Sequence, residues 1–328
     1  MAGQPDVADV HVNTLLSQIS IAHMNDLASF AADKIFRPVG TDKQTDIYPV
    51  YDRGFFFADE GERMVRAPGA NAATSGFKIT TTNTFFNINY AIGMELPDEL
   101  IANSDEVFNL HQDATVLVTH IQMIRRERGF AVDFMKTGVW GTDVTGTTNF
   151  VKWSDYAGSD PLSDIRTGIR TVQLNTGMAA NTLVLGKRVW DRLADHPDLI
   201  DRLNGGQTPG GPAVAMPENL ARILGLDEVI IMDSVYRSSV EGATTLTMAF
   251  TVSDDALLIY RPRTASKLMP SSGYTFFWKS LVNGSAVPHY IRSIREERPR
   301  KTIIEAHAYW DQVATETQAG YYFSDAVD

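Results

Sequence analysis

The chain has 328 residues, 44% of them hydrophobic and 21% charged, enough for a large core or two domains, and it contains no cysteine, which excludes disulfides and thiolate metal sites. Its 40 acidic residues against 29 Lys and Arg give a formal net charge of −11, the wrong sign for a protein whose main task is gripping phosphate. No apolar run approaches the ~20 residues needed to span a bilayer, and no basic-then-apolar export signal is evident.

Residues 1–46 read as an arm. Val12, Leu15, Ile19 and Ile21 to Met24 recur at helical spacing, continuing weakly through Leu27 and Phe30, and the stretch after Pro38 is polar and turn-like. A helix of this kind either packs on its own core or lies over a neighbouring subunit, and composition does not separate the two. Residues 47–95 read as a long β-hairpin. One extended run begins at Phe55 to Phe57 and turns charged at Asp59, Glu60, Glu62, Arg63 and Arg66. The tip, 67–76, is made of small residues and turn formers. The return run passes from Phe77, Lys78 and Ile79 through threonines to Phe85, Phe86, Ile88, Tyr90 and Ile92. An isolated hairpin is marginal in water, so this one must rest on its own domain or on adjacent subunits.

No proline occurs between Pro97 and Pro161. Ser104 is suited to cap a helix, with Asp105 and Glu106 complementing its dipole. Leu110, Ala114, Leu117, Ile121, Ile124, Ala131 and Met135 recur at three- and four-residue steps, interrupted by Arg128. The spacing predicts one helix from Ser104 to about Lys136, on the order of 50 Å long, ended by Gly138. A Gly/Thr/Asp-rich connection at 141–160 marks a domain boundary.

Leu162 to Thr176 then read as a helix. Thr182 to Leu185 form a buried strand that stops at Gly186, and a short helix carries Val189, Trp190 and Leu193 on one face. Pro197 interrupts it, with Asp198 placed to cap a restarted turn bearing Leu199, Ile200 and Leu203. Residues 204–212 form a surface loop. Pro217 starts a helix that ends at Gly225, and a strand follows at Val229 to Ile231. Further strands are expected at 245–252, 256–260, 271–280, 291–297, 303–313 and 321–323.

Catalytic constellations are missing from this pattern. Seven scattered histidines show no metalloprotease spacing, and no serine sits in a nucleophile-elbow context. Gly186-Lys187-Arg188 follows a strand and precedes a helix, but it lacks the glycine spacing and the Ser/Thr of a phosphate loop. The reading is a protein that is not an enzyme and needs no cofactor or metal. Two basic clusters remain: Arg125, Arg126 and Arg128 late on the long helix, and Arg292, Arg295, Arg298, Arg300 and Lys301 near Pro299. They either pair with interleaved glutamates or reach across a subunit boundary, since arginine makes bidentate carboxylate contacts.

In this order the elements resemble the major capsid proteins of tailed bacteriophages, which share the Hong Kong 97-type shell fold; 181–203 and 220–236 carry the resemblance most specifically. It implies an α+β fold with an N-terminal arm (1–46), an extended loop (47–95), a peripheral domain with a spine helix (96–154), an axial α/β domain (155–270) and closing peripheral strands (271–328). It further implies self-assembly into hexamers and pentamers of an icosahedral virion shell, built in the host bacterial cytoplasm around double-stranded DNA without sequence recognition. Scaffold, portal and decoration proteins are the implied partners, with no membrane. Contacts between subunits are then expected at Phe55, Phe57, Arg63, Arg66, Phe77, Lys78, Ile79, Arg125, Arg128, Arg295 and Arg298. Some members crosslink a loop lysine to an asparagine, but beside Lys78 no motif identifies a partner. An encapsulin-like compartment is the alternative within the same fold.

Overall fold

A computed structural model describes residues 24–104, 109–203, 215–264, 269–279 and 289–328. The arm helix expected at 12–24 (Met24 apart) and the surface loop at 204–212 lie outside these. In chain order, α1 (Ala32–Ile35), β1 (Pro38–Thr41), β2 (Thr45–Ile47), β3 (Val50–Tyr51) and α2 (Arg53–Phe56) lead outward into the loop. The return runs through β4 (Ile79–Thr80), β5 (Thr84–Phe86) and β6 (Ile88–Pro97) to α3 (Asp98–Asn103) and the long α4 (Leu110–Phe134). Next come β7 (Thr142–Thr145), α5 (Pro161–Thr176), β8 (Thr182–Gly186), α6 (Lys187–Ala194), α7 (Pro197–Leu203), α8 (Pro217–Leu224) and β9 (Glu228–Met232). The remaining elements are β10 (Val235–Arg237), β11 (Met248–Phe250), β12 (Ala256–Ile259), β13 (Gly273–Trp278), β14 (His289–Glu296), β15 (Lys301–Ala314) and β16 (Gly320–Ser324).

Two five-stranded sheets organise these elements. In the first, β15 is long enough to pair with β13 at one end and β14 at the other, while β6 pairs along its opposite edge; β1 adds to β13 in parallel. The second runs β7-β16-β12-β8-β9. All of β8 is buried, as its unbroken apolar run requires. Leu183 and Leu185 face α5, α6 and α8, whereas Val184 points to the other side, where it meets Leu257, Ile259 and Tyr322. That other side also receives Phe36, Phe130, Phe134 and Trp140, so one apolar layer joins the arm, α4 and the second sheet. Phe36 stands edge-on to Phe130 and Phe134 at 5.0 and 4.8 Å between ring centres.

The polar stretch after Pro38 bends at residues 42–44, but strands flank the bend: Pro38–Thr41 enter the first sheet as β1, held there because the preceding Ile35 and Phe36 are fully buried, and Thr45–Ile47 form β2. The strand 321–323, expected beside 303–313, instead lies in the second sheet between β7 and β12. Its side chains Tyr321 and Phe323 fill the helix-covered core, and the residues after it, Ala326 and Val327, pack there too.

Helix α4 also departs from expectation. It begins at Leu110, with the Asn109 side chain accepting the Gln112 N–H, and its 25 residues make it ~37 Å long. Ser104 closes α3 instead, its hydroxyl donating to the Ile101 carbonyl. The buried stripe of α4 runs through Leu110, Ala114, Val118, Gln122, Arg126, Phe130 and Phe134 in four-residue steps, with Glu127 and Ala131 buried beside it in the second half. Four residues rotate ~400°, so such a stripe winds around the helix. The first half of α4 therefore faces Leu96, Ile304 and Ala306 of the first sheet, and the second half faces Phe36 and the second sheet. Leu117 and Ile121, expected inside, are 45% and 36% exposed.

Around Pro197 the local reading holds, with one change. Pro197 opens α7, and the cap is His196, whose Nδ1 accepts the Asp198 N–H at 3.2 Å while its carbonyl accepts from Leu199 and Ile200. With Nδ1 an acceptor, the proton sits on Nε2 and is donated to Ser159 Oγ at 3.1 Å. A fully buried histidine is thereby satisfied on both nitrogens. Helix α8 ends at Gly225, whose φ of 74° is the left-handed value that glycine adopts without strain.

Candidate assembly surfaces

The extended loop is a broken ribbon. Its ladder consists of β2 with β5 and β3 with β4, the register Tyr51↔Ile79 marking the last rung before the loop opens. Phe55 to Phe57, expected to be extended, form the helical turn α2 and its end, because the Asp52 carboxylate accepts the Gly54 N–H at 2.9 Å. Beyond it, residues 65–78 form no helix or strand.

This loop concentrates exposed apolar surface. Tyr51, Phe56 and Phe77 make a ring cluster with centres 5.7 to 6.2 Å apart, yet Phe56 and Phe77 stay more than half exposed. Phe55, Phe57, Met64, Val65 and Ile79 are exposed around them. Met64 and Val65 escaped the sequence reading because they sit inside a charged run. The loop's base rests on its own chain: the Arg53 guanidinium donates to the Asn175 carbonyl at 3.0 Å, near the C-terminal end of α5, and the Phe57 ring closes on Gly177. Arg63 pairs only with Glu60 of the same loop, at 2.5 Å, and Arg66 and Lys78 are exposed.

The expected arginines divide between two other places. On α4, Arg125 lies over Tyr90 at 5.4 Å and Arg128 over Tyr236 at 4.0 Å, both within the chain. At the far end of the first sheet, Arg295 forks onto the Asp98 carboxylate and holds its pKa below the usual range, while Arg298 is exposed. This second cluster also pairs with its interleaved glutamates, Arg295 with Glu297 at 3.8 Å and Lys301 with Glu296 at 3.4 Å; on α4, by contrast, Arg126 reaches Asp33 at 2.6 Å and covers Trp310 at 4.6 Å. Lys187 pairs with Asp191 and Arg188 with Asp254, so the strand-to-helix turn that resembled a phosphate loop has its cations occupied. Among the described residues no group of His, Asp and Glu is arranged to hold a metal ion.

Sequence reasoning missed the polar side chains buried along α4. Gln122 donates to the carbonyls of Tyr90 at 3.0 Å and Ala306 at 2.6 Å, tying neighbouring strands β6 and β15 to the helix. Glu127 accepts from the backbone N–H groups of Ala31 and Ala32 and fixes the root of the arm.

With this geometry in view, the similarity to solved structures decides the fold. A phage-related protein from Bordetella bronchiseptica RB50 superposes with a TM-score of 0.66 at 18% identity, covering 92% of this chain and 93% of the other. The capsid of cyanophage P-SCSP1u superposes at 0.61 with 10% identity, covering 96% and 93%. The chain has the Hong Kong 97-type capsid fold. A search of family models finds no match. A curated relative, the major capsid protein of Burkholderia phage BcepMu, is 20% identical over 269 residues, 80% of this chain and 82% of that one. The holo-SrpI encapsulin of Synechococcus elongatus PCC 7942 superposes at a TM-score of 0.55 with 8% identity, covering 97% of each chain.

Proposed function

We propose that this chain is a major capsid protein, the structural subunit of a phage head shell. The observation that carries the reading is the match of nearly the whole chain, arm to closing strand, to capsid subunits, combined with a loop whose aromatic surface its own chain leaves open. Exposed aromatic surface costs free energy in water at ~25 cal/mol per Å² of apolar area, and burial on a neighbouring subunit recovers it. Each such contact is small, and closure into a shell multiplies them.

In this reading the subunits form hexamers and pentamers of an icosahedral shell assembled in the host cytoplasm. A net charge of −11 suits a wall that encloses double-stranded DNA without gripping it. Scaffold, portal and decoration proteins are the partners such a shell takes. The loop residues Phe55, Phe57, Phe77 and Ile79 contribute apolar burial between subunits, and the exposed Arg66, Lys78 and Arg298 contribute charge pairing.

Electron microscopy of the purified protein, with analytical ultracentrifugation, tests the reading: closed particles or rings of subunits are expected, and a protein that stays monomeric at all concentrations and with its scaffold present overturns it. The shared fold with an encapsulin supports a second reading, a cellular compartment, and particles that enclose protein cargo and no DNA favour that one.

A further inference from the structure

The extended loop is rooted in both halves of the molecule. Its inner root is the first sheet: the Phe85 ring stacks on Phe276 with centres 4.3 Å apart, and the Phe86 N–H donates to the Asp311 carboxylate at 2.9 Å. Its outer root is α5, which is seated on the second sheet. Gly168 of α5 lies so close to that sheet that an added Cβ would come 2.7 Å from Leu258 and 3.2 Å from Tyr321.

Between the two roots the ribbon is interrupted. Residues 48–49 and 81–83 belong to no strand, and Pro49 has no N–H to give. One backbone hydrogen bond crosses the gap, from the Tyr48 N–H to the Asn83 carbonyl at 3.1 Å. A ribbon gives way more easily at such a gap than along its ladder. With the first sheet as its sole support, the part of the loop beyond the gap, residues 50–80, could swing there.

The single turn α2 prevents this by gripping on two sides. At ~100° per residue, Arg53 and Phe57 project to one side of the turn and Phe56 to the next. Arg53 donates to the Asn175 carbonyl at 3.0 Å, one of the last four carbonyls of α5, where the helix dipole favours a cation. Phe57 lays its ring on Gly177, so close that an added Cβ there would stand 2.8 Å from it. Gly177 also has a φ of 75°, so the helix stop and the seat for the ring are one residue. On the next side, Phe56 meets Tyr51 and Phe77 of the outer ribbon. The Asp52 carboxylate, accepting from the Gly54 N–H, holds the turn in shape.

We propose that α2 is a clip: Arg53 and Phe57 fasten the outer part of the loop to the C-terminal end of α5, and without them that part swings about the gap at Pro49. One hydrogen bond and one ring on a glycine make a small contact, which a modest change opens. The clip belongs to the single unassembled chain. Its consequence, a fixed direction for the loop as it reaches a neighbour, rests on the shell reading.

The sequence has no cysteine, so spin labels attach only where one is introduced. Lys78→Cys in the ribbon and Arg166→Cys on α5, both exposed, are labelled in the full chain, and the distance between them is measured by pulsed electron spin resonance on unassembled protein. Arg53→Ser and Gly177→Asn are then added separately. The first removes the hydrogen bond; the second keeps a residue that tolerates the left-handed backbone but puts a side chain under the Phe57 ring. The distance distribution should be narrow in the parent and about twofold wider or more in each variant. A broad distribution in the parent, or the parent's width retained in either variant, overturns the proposal. Microscopy separates this from the shell reading: particles of Arg53→Ser should spread in diameter beyond those of the native chain. Equal uniformity overturns the clip's part in assembly, whereas a native chain that forms no particles counts against the shell reading and leaves the distance measurement to decide the clip.

Discussion

The carboxylate of Glu127 lies 2.7 Å from the backbone nitrogen of Ala32, joining the second half of α4 to the start of α1. Burial pushes its pKa up to about 7 and Asp33 adds to that, against the N–H groups of Ala32 and Ala31 and the charge of Lys34. The folded-state pKa is raised above the unfolded value of 4.5, so the contribution to stability is complete below about pH 4.5 and is lost as pH rises through about 7. A rise of this size corresponds to ~3 kcal/mol. Glu127→Gln removes the titration: the stability difference between native and variant chains should fall between about pH 4.5 and pH 7. Thermal unfolding of unassembled protein measures it, and parallel pH profiles for the two chains would falsify the assignment.

Gln122 is the second polar clamp on the same helix. Gln122→Ala leaves two strand carbonyls without their amide donor and opens a small void, and should cost about 2 kcal/mol in urea unfolding. Gln122→Met keeps the volume and removes only the hydrogen bonds. If Met restores native stability, packing alone accounts for the residue and the clamp is refuted.

Deletion of residues 66–76, which make no helix or strand, should leave the unfolding midpoint of the protomer nearly unchanged while shells become defective. Phe77→Ser is the milder version: it removes one ring from the exposed cluster and should weaken assembly with a stability change within about 1 kcal/mol. Normal particles from both variants, seen by microscopy, would exclude the loop from the contacts between subunits.

Gly273 faces the ring of Phe36 so closely that an added Cβ would lie 2.4 Å from it. Gly273→Ala should therefore cost about 2 kcal/mol or more by overpacking. Adding Phe36→Leu to it should cost less than the two single changes summed, since the smaller side chain makes room for the new methyl. Strict additivity in denaturant melts would show that the two sites do not meet.

Legibility in the sequence followed the range of the interactions. The block 182–232 was readable because its signals are local: an unbroken buried run, a proline opening each of two helices, a glycine at the left-handed position. Leu117 and Ile121 were misplaced for a different reason. A periodic stripe identifies the face of a helix that meets one flat surface, and α4 meets two. Its burial winds from one sheet to the other, and at the crossing come Gln122, Arg126 and Glu127, whose burial is affordable only because Tyr90, Asp33 and Ala32 supply partners from distant segments. Nothing near residue 127 announces a backbone N–H at residue 32. The placement of 320–324 in the second sheet left no local mark either, since a short aromatic strand reads alike whichever sheet receives it. The turn at Arg53–Phe56 did have a signal, the Asp52 cap before Arg-Gly, outweighed by the strand preference of three phenylalanines.

The position of β16 has a consequence for timing. It fills the slot between β7 and β12, so the second sheet stays divided until residues 320–324 have left the ribosome. A nascent chain that already displays its aromatic loop still lacks the strand that joins the two parts of this sheet.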